Sequence, residues 1–455
     1  MSSILRRSCL VVTHTRPYST QPTQPSRPAW LTAHLNDTLP PPRILRWTSP
    51  SSCSSPSSLT SLPTPDPRRI HILGIGNIGR LFAVQLSKIR PNPPPITLVL
   101  HRRELLDQWT ARPGIEITRA GTVEVTRDGL DVECWDISSS FSTTATTGSR
   151  SHDQQQPGGE IATISNLIVA TKADAALDQV DRLRRYLDRS STVAFAQNGM
   201  SRMWPPHGPA YVSHRYGDNA PSFAACITTH GVFSHGPFRS EHASVADVRT
   251  GLVLPSGSGG NYLVDTIASA PGLSAHRASR GDLWTLQLEK LAVNSVVNPL
   301  TAVLRCRNGR LFAHGHSDSN SGSGSAVISR VMDRLLREIS DIYVALINHP
   351  GADGVVLAEG MDRRRLAERF SFHALRRLVW QVGVRTGDNK SSMLQDVAAG
   401  KRTEIAELNG CIIDMARFLD PSGTTLTVSA NQRLVNLVEG AKVLDQEGLG
   451  RALLG

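Results

Sequence analysis

Long apolar runs, paired cysteines and spaced metal ligands are all missing from this 455-residue sequence. No apolar run approaches the ~20 residues that a membrane-spanning helix needs, so we expect no membrane partner. The six cysteines are far apart and form no CxxC pair, which is typical of a reducing compartment and predicts no disulfide framework. The histidines between residues 214 and 242 match no zinc spacing either, and we predict no metal site.

Acidic residues are absent from the first 36 positions, where arginines, serines and threonines are common. This composition is typical of an organelle transit peptide, and residues 16–19 resemble a mitochondrial processing site, with cleavage expected after Tyr18. We therefore predict a transit peptide at 1–36 and a mitochondrial location; the alternative is a disordered basic tail on a cytoplasmic protein. Residues 37–67, rich in Pro and Ser, predict a linker without a core of its own. The apolar residues expected to anchor this region on the folded body are Trp30, Leu31, Ile44, Leu45 and Trp47.

The charge balance is basic, with 49 Lys and Arg against 39 Asp and Glu and a net charge of +10. The arginines are spread along the chain, and no DNA- or RNA-binding motif contains them. We therefore predict no nucleic-acid partner. A small ligand that bears phosphate would account for the positive charge.

A glycine-rich turn follows the first clear strand. Residues 69–73 are an apolar run, a helical pattern begins soon after it, and the turn between them is Gly74-Ile75-Gly76-Asn77-Ile78-Gly79. A second apolar strand occupies residues 96–100. In this context a GxGxxG sequence predicts a dinucleotide site, because its glycines permit a tight turn and let the backbone approach a pyrophosphate at the positive end of the helix.

The end of the second strand selects the cofactor. NAD sites usually have an acidic residue here, whereas an arginine accommodates the 2′-phosphate of NADP. This chain has His101-Arg102-Arg103, and no acidic residue occurs before Glu104. We therefore predict NADP(H), with Arg102 or Arg103 on the phosphate. Solvated basic residues at a strand exit are the alternative.

Two further strands extend the predicted parallel sheet. Residues 166–170 precede Lys172, and residues 192–196 precede Asn198. Ligands of open α/β sheets bind outside the carboxyl ends of the strands. Lys172 and Asn198 should therefore face the same crevice as the glycine-rich turn.

Beyond residue 275 the pattern changes from strands to helices. The predicted helices are 282–304, kinked or ended near Pro299, then 326–348, 391–399, 404–419 and 431–444. The predicted fold is an N-terminal α/β Rossmann-type dinucleotide-binding domain, followed by an all-α C-terminal domain, with the active site in the cleft between them. The first domain covers 68–275, with a hairpin at 114–125 and a disordered insertion at about 138–160, and the second covers 276–455.

One helix carries a polar stripe. Lys290, Asn294 and Asn298 stand at i, i+4 and i+8, so they share one face of an otherwise apolar helix. A desolvated lysine has a lowered pKa and can act as an acid or base near neutral pH. The alternative is that Lys290 reaches solvent while the asparagines bond neighbouring backbone.

Two later helix starts are polar as well. Ser392 with Gln395 predicts a capping box, and Glu404 is expected to follow an N-cap Thr403. These local roles leave a ligand role open, because a helix N-terminus also presents free N–H groups to a carboxylate.

The chain resembles the ketopantoate reductases, also called 2-dehydropantoate 2-reductases, over about residues 68–445. The resemblance rests on Gly74–Gly79, Ala170–Ala173, Asn198–Met200, Lys290–Ala302, Ser391–Asp396, Thr403–Ile405 and Asn409–Gly410. The Lys290 and Ser392 segments are specific to this family, whereas the glycine-rich turn is not.

The resemblance implies an NADP-dependent oxidoreductase that reduces 2-dehydropantoate to pantoate in pantothenate and coenzyme A biosynthesis. Hydride would pass from NADPH to the C2 ketone while Lys290 protonates the oxygen. The roles that the resemblance implies are catalysis for Lys290 and Glu404, substrate binding for Asn294, Asn298, Ser392 and Asn389, and cofactor binding for Gly74–Gly79, Lys172 and Asn198.

Two alternatives to this function remain open. One is a related NADP-dependent 2-oxo or 3-hydroxy acid reductase with a different substrate, and the other is a non-catalytic NADPH-sensing protein. For a 2-dehydropantoate reductase, and for a related reductase, the partner is a small-molecule 2-oxo acid or a related acid. A homodimer is one assembly that we expect.

Overall fold

The computed structural model of the protein describes residues 27–48, 66–137, 159–256, 261–312 and 323–455. Three predicted features fall partly outside these described residues, namely residues 1–26 of the predicted transit peptide, residues 49–65 of the predicted linker and residues 138–158 of the predicted insertion. Among the described residues, no helix has both the length and the apolar character that are needed to cross a membrane.

The described strands lie between residues 46 and 277. In order they are β1 (Arg46–Thr48), β2 (Ile70–Leu73), β3 (Ile96–Leu100), β4 (Ile115–Arg119), β5 (Thr122–Thr126), β6 (Leu130–Trp135), β7 (Asn166–Val169), β8 (Thr192–Phe195), β9 (Ser222–Thr228), β10 (Gly231–Ser234), β11 (Arg239–Ser244), β12 (Val248–Leu254) and β13 (Ala275–Arg277).

The helices alternate with strands at first and then succeed one another. They are α1 (Ala29–Asn36), α2 (Asn77–Ser87), α3 (Arg103–Ala111), α4 (Ala173–Arg182), α5 (His207–Tyr216), α6 (Asn261–Ser269), α7 (Arg280–Leu304), α8 (Ser323–Asn348), α9 (Asp353–Val356), α10 (Arg363–Arg369), α11 (Phe372–Arg385), α12 (Ser392–Ala398), α13 (Ile405–Leu419), α14 (Ser429–Glu439) and α15 (Gln446–Leu454).

The larger sheet has the topology of a dinucleotide-binding fold. Within the described residues its strand order is β1-β6-β3-β2-β7-β8-β9-β12-β13. The strands from β6 to β9 in this order run parallel, which reproduces the 3-2-1-4-5-6 order of the Rossmann fold. Their Ile, Leu and Val side chains alternate between two hydrophobic cores, one on each face of the sheet. The α/β region and the helices that follow it confirm the predicted fold class.

A smaller sheet packs beside the first one. In the described part of the chain its order is β10-β11-β4-β5. Strands β4 and β5 form the predicted antiparallel hairpin, and a second hairpin, β10–β11, joins it through a parallel pairing of β11 with β4. Both β10 and β11 pack against α2, the helix that begins at the glycine-rich turn. This contact was not foreseen from the sequence.

The segment formed by residues 28–48 packs along the α/β region. Helix α1 packs on α5, and Arg215 of α5 pairs with Asp37 just after α1, with Nη2 and Oδ2 3.0 Å apart. Strand β1 pairs antiparallel with β6, so part of the expected linker completes the edge of the sheet. The docking of the apolar anchors is confirmed for three residues that are at most 5% exposed, Leu31, Ile44 and Trp47.

Helix α7 is 25 residues long and passes through Pro299, where a kink or an end was expected. Proline has no N–H to donate to the carbonyl group of Ser295, four residues earlier. Asn409 of α13 supplies the missing donor, because its Nδ2 lies 2.8 Å from Ser295 O. The helix therefore continues because a tertiary hydrogen bond replaces the lost helical one.

Helix α14 ends at Glu439, five residues before the predicted end at residue 444. The next positions close the helix, since Ala441 has a φ of 49° and the amide of Lys442 donates to the carbonyl of Leu437. This combination of a left-handed residue and a long return hydrogen bond is a common helix stop. The apolar pattern beyond it does not belong to the helix.

Candidate active site

The α/β region and the helical region enclose a large cleft. Its volume is about 1870 Å³, and it lies between the carboxyl ends of β2, β3, β7, β8 and β9 on one side and α7, α11 and α12 on the other. Most predicted site residues line this cleft together: Gly74, Ile75, Gly76, Asn77, Ile78, Arg102, Lys172, Asn198, Lys290, Asn294, Asn298, Asn389, Ser392 and Glu404. Gly79 and Arg103, also predicted, do not line it.

The three glycines of the turn have different structural roles. Gly74 has a φ of +94°, and a Cβ placed there would lie 2.6 Å from the Cγ2 atom of Thr171. At Gly79 a Cβ would lie 2.1 Å from the carbonyl oxygen of Gly74, so this residue lets α2 pack against the turn. A Cβ at Gly76 would meet nothing within 4 Å. The open space is therefore at Gly76, the residue next to the start of α2, where a pyrophosphate would bind.

Two unsatisfied polar side chains at the strand ends also fit a bound dinucleotide. The Oγ1 atom of Thr171, after β7, and both amide atoms of Gln197, after β8, are buried without a hydrogen-bond partner. Such groups cost free energy until a partner is supplied. Both residues line the cleft, so a cofactor rich in hydroxyl and amide groups would provide partners. Their neighbours Lys172 and Asn198 were predicted as site residues; Thr171 and Gln197 were indicated by their place at a strand exit, and Thr171 also by the family segment Ala170–Ala173.

The two predicted arginines differ in position. Arg102 is the residue before α3 and lines the cleft. The guanidinium carbon of Arg103 lies 4.1 Å from the ring centre of Trp47 in β1, a cation–π contact. Arg103 is therefore held by the N-terminal segment, and Arg102 is the arginine of this pair that is available to a ligand in the cleft.

Lys290 lies in the cleft and its side chain is partly buried. Its Nζ donates to the carbonyl oxygen of Thr228 at the end of β9, over a distance of 2.5 Å. Burial lowers the pKa of Lys290 to about 8, while the charges of Glu404 and Asp247 act in the opposite direction. A lysine in this environment is mainly protonated at neutral pH and can release its proton readily.

The rest of the polar stripe continues along the same wall. Asn294 and Asn298 line the cleft one and two helical turns after Lys290. The Nδ2 atom of Asn298 lies 3.4 Å from the hydroxyl oxygen of Ser392 at the start of α12. Asn389, in the loop before α12, is exposed and lines the cleft as well. Helix α7 and the start of α12 thus present amide and hydroxyl groups to one volume.

Helix α12 is capped by a different serine from the one predicted. The hydroxyl group of Ser391 accepts from the amide of Leu394 and lies 2.7 Å from Oγ1 of Thr301 in α7. The predicted capping box of Ser392 with Gln395 is therefore wrong. Because Ser391 takes the cap position and packs on α7, Ser392 is the first residue of the helix and its hydroxyl group meets Asn298.

Glu404 links the helical region to the end of β7. It occupies the position before α13 that was predicted for Thr403, and its Oε1 accepts from the amide of Ala173 at 3.0 Å. Beside it, Nζ of Lys172 lies 2.6 Å from Oδ2 of Asp396. Burial raises the pKa of Glu404, although the positive charge of Lys172 acts in the opposite direction. Burial lowers the pKa of Lys172, but the nearby carboxylates raise it by more, so its pKa is raised overall. The carboxylate of Glu404 is thus bonded to the amide of Ala173, and its effect on Lys290 is that its charge raises the pKa of the lysine.

The buried histidines form a hydrogen-bonded pair. Nε2 of His242 lies 3.0 Å from Nδ1 of His230, whose Nε2 lies 3.0 Å from the carbonyl of Leu273. Burial lowers the pKa of both rings, that of His242 to about 4. Both are therefore neutral and satisfied. Among the described residues, no group of three or more His, Cys, Asp or Glu side chains could hold a metal ion.

Comparison with known families gives matches over both regions. Residues 70–253 match the model described as ketopantoate reductase PanE/ApbA, and residues 282–442 match the model of its C-terminal part. All residues that line the cleft, except Arg277 and Ala278, lie within these two stretches.

Individual relatives agree with this match. The chain is 37% identical to a ketoisovalerate reductase of Beauveria bassiana, over 94% of this chain and 99% of that protein. It is 24% identical to a probable 2-dehydropantoate 2-reductase of Schizosaccharomyces pombe, over 80% and 95% of the two chains. Among solved structures, a ternary structure of D-mandelate dehydrogenase with NADH and anilino(oxo)acetate shares the fold, with a TM-score of 0.54 and 15% identity over 84% of this chain and 99% of that one.

Proposed function

The chain belongs to the ketopantoate reductase family, and we propose that it reduces a branched 2-oxo acid, in the first place 2-ketoisovalerate, to the 2-hydroxy acid. It is an NADP-dependent oxidoreductase, with NADP(H) as its cofactor. The observation that carries the proposal is the position of Lys290, Asn294 and Asn298 on the cleft wall opposite the glycine-rich turn.

The choice of 2-ketoisovalerate rests on two supports. The relative named for that acid is more similar to this chain, and over more of it, than the relative named for 2-dehydropantoate. The second support is the apolar surface beside the polar stripe. Residues of α7 and α11 that line the cleft with aliphatic side chains are Leu286, Val293, Val297, Leu378 and Val382. Such a surface suits an isopropyl group, which gains about 25 cal/mol for each Å² removed from water.

The residues of this chain provide the proton and the binding groups for the reaction. Bound NADPH supplies the hydride for C2 of the acid. As the carbonyl carbon gains that hydride, negative charge develops on its oxygen, and Lys290 donates a proton to it and becomes a neutral amine. Asn294, Asn298 and Ser392 offer N–H and O–H donors to the carboxylate of the substrate. Lys172 and Asn198 border the cofactor side of the cleft.

A second candidate substrate is 2-dehydropantoate, which the sequence analysis favoured. It differs from 2-ketoisovalerate by a hydroxymethyl group in place of the hydrogen at the branch. Asn389 and Ser392 are polar groups of the cleft that could bond this hydroxyl. A site that leaves the hydroxyl without a partner would reject it, because burying an unpaired hydroxyl costs about 1–3 kcal/mol.

Steady-state oxidation of NADPH with each acid tests the proposal. We expect turnover with both, and a higher kcat/KM with 2-ketoisovalerate. Lys290→Ala should lower kcat by about 10²–10⁴, while Lys442→Ala, which removes an exposed lysine of the helical region, should leave it unchanged. A higher kcat/KM with 2-dehydropantoate would reverse the order of the two substrates. Absence of turnover with either acid, despite tight binding of NADPH, would refute the proposed reaction.

A further inference from the structure

Arg80, in the first turn of α2, is a buried cation that takes no part in the reaction described above. Its side chain lines the cleft, and the residue is only 6% exposed. Its described hydrogen-bond partners are all neutral oxygen atoms: the carbonyls of Ile75, Gly236 and Arg239 and the hydroxyl of Ser240. Burial lowers its pKa to about 10, and no carboxylate in the described part of the chain opposes this. Arginines that are buried in this way usually have an anionic partner.

The guanidinium group connects the glycine-rich turn to the β10–β11 hairpin. Nη1 of Arg80 donates to Ser240 Oγ at 2.9 Å, and this hydroxyl donates to Oδ1 of Asn77 at 3.2 Å. The side-chain Nδ2 of Asn77 in turn donates to the carbonyl of Val232 at 3.1 Å. A chain of hydrogen bonds therefore runs from the cation to both strands of the hairpin, and each bond in it is polarised in the same direction.

The same side chain fixes a peptide group of the turn. Nε of Arg80 donates to the carbonyl of Ile75 at 3.0 Å. Because a trans peptide is planar, the N–H of Gly76 must point opposite to that carbonyl, away from Arg80. Gly76 is also the glycine that borders open space. Arg80 thus sets the direction of an N–H group at the position where a phosphate oxygen would bind.

We propose that Arg80 is a positioning residue for the dinucleotide, which holds the glycine-rich turn and the β10–β11 hairpin in their binding conformation and places a buried positive charge behind the turn. This inference rests on the proposed dinucleotide-dependent function. The pyrophosphate is the part of the cofactor that lies at such a turn, so Arg80 contributes equally to the binding of NADPH and NADH. Arg102, in contrast, is placed to distinguish them.

The charge of Arg80 has opposite effects in the free and the bound protein. A buried guanidinium without a carboxylate is costly in the free protein. An anionic pyrophosphate on the other side of the turn repays this cost, since the interaction of charges is strong where water is excluded. Loss of the cation should therefore weaken the bound form more than the free form.

The test compares the full-length protein with three variants, by fluorescence titration with NADPH and with NADH. Arg80→Met should raise both dissociation constants by about tenfold or more, because the turn loses the charge-assisted hydrogen bond from Arg80 to the carbonyl of Ile75. Arg80→Lys keeps the charge without the planar fork and should lie between Arg80→Met and the wild type. Arg90→Met is the matched control, because it removes an exposed arginine just after α2 that does not line the cleft, and it should change neither constant.

Melting temperatures separate this role from a purely structural one. Saturating NADPH should raise the melting temperature of Arg80→Met by less than that of the wild type. If Arg80→Met does not fold, Ser240→Ala breaks the hydrogen-bond chain with the cation in place and should still weaken both dinucleotides. Unchanged dissociation constants in the folded variants, or a loss confined to NADPH, would overturn the inference. Failure of the wild type to bind either dinucleotide would instead refute the proposed function.

Discussion

Glu404→Gln is the most direct probe of the environment of Lys290. The carboxylate of Glu404 accepts from the amide of Ala173 at 3.0 Å, and a glutamine oxygen can keep that hydrogen bond. The substitution therefore removes a negative charge and changes the shape of the site very little. Since the charge of Glu404 raises the pKa of Lys290, its removal should lower that pKa further.

The size of the effect on activity follows from the protonation of Lys290. With a pKa of about 8 in place of the ordinary 10.5, roughly nine-tenths of the side chain is protonated at pH 7 and about one-tenth at pH 9. Reduction of the ketone needs the protonated form, so kcat/KM should fall about tenfold per pH unit above this pKa. Oxidation of the 2-hydroxy acid needs the neutral amine and should rise over the same range. In Glu404→Gln both changes should begin at lower pH.

The assay is the pH dependence of kcat/KM for the 2-oxo acid at saturating NADPH, between about pH 6 and pH 10. The negative charge of the cofactor favours the ammonium form, so the decline in the wild type should begin near pH 8 or above it, and below the 10.5 of an ordinary lysine. Glu439→Gln, which changes an exposed carboxylate of α14, should leave the profile unchanged. A decline that begins only near pH 10.5, or one that Glu404→Gln moves to higher pH, would refute this account of Lys290.

Four further predictions concern other parts of the molecule. Arg102→Ala should raise the dissociation constant of NADPH by about 10- to 100-fold and leave that of NADH unchanged, whereas an equal loss in Arg103→Ala would show that the two arginines share the phosphate. Asn298→Ala should raise the KM of the 2-oxo acid without changing the dissociation constant of NADPH, as separate titrations can establish. Leu31→Ala should lower the free energy of unfolding by about 2–5 kcal/mol, measured by denaturant titration, because Leu31 is 2% exposed. We also propose that any processing of a mitochondrial precursor leaves α1 in place, so N-terminal sequencing of the mature protein should give a start before Ala29.

Local patterns were sufficient for much of the α/β region. The apolar runs that precede Gly74, Lys172 and Asn198 are β2, β7 and β8. These strands are neighbours in the parallel sheet, so their carboxyl ends lie on the same side of it. The prediction succeeded because these strands are largely buried on both faces, which makes them short and mainly apolar. The Lys290 stripe was equally visible, since helical spacing alone puts three residues on one face.

Boundaries and edges were less predictable, since they depend on distant partners. Strand β1 has three residues, and it exists because β6, far along the sequence, offers an edge to pair with. Helix α7 continues through Pro299 because Asn409 donates to the carbonyl that the proline leaves free. Neither partner could be identified from the residues next to the boundary.

The sequence by itself determined the main parallel strands, the dinucleotide-binding turn and the face on which Lys290 stands, since each follows from a repeat or a turn within a few residues. Tertiary structure alone decided how two adjacent residues of the same type divide their roles. Ser391 caps α12 because Thr301 packs on it, which directs Ser392 to Asn298. Trp47 holds Arg103, and Arg102 is left to the cleft. The choice between neighbours of the same type depends on contacts from remote segments, and these are set only when the whole chain packs.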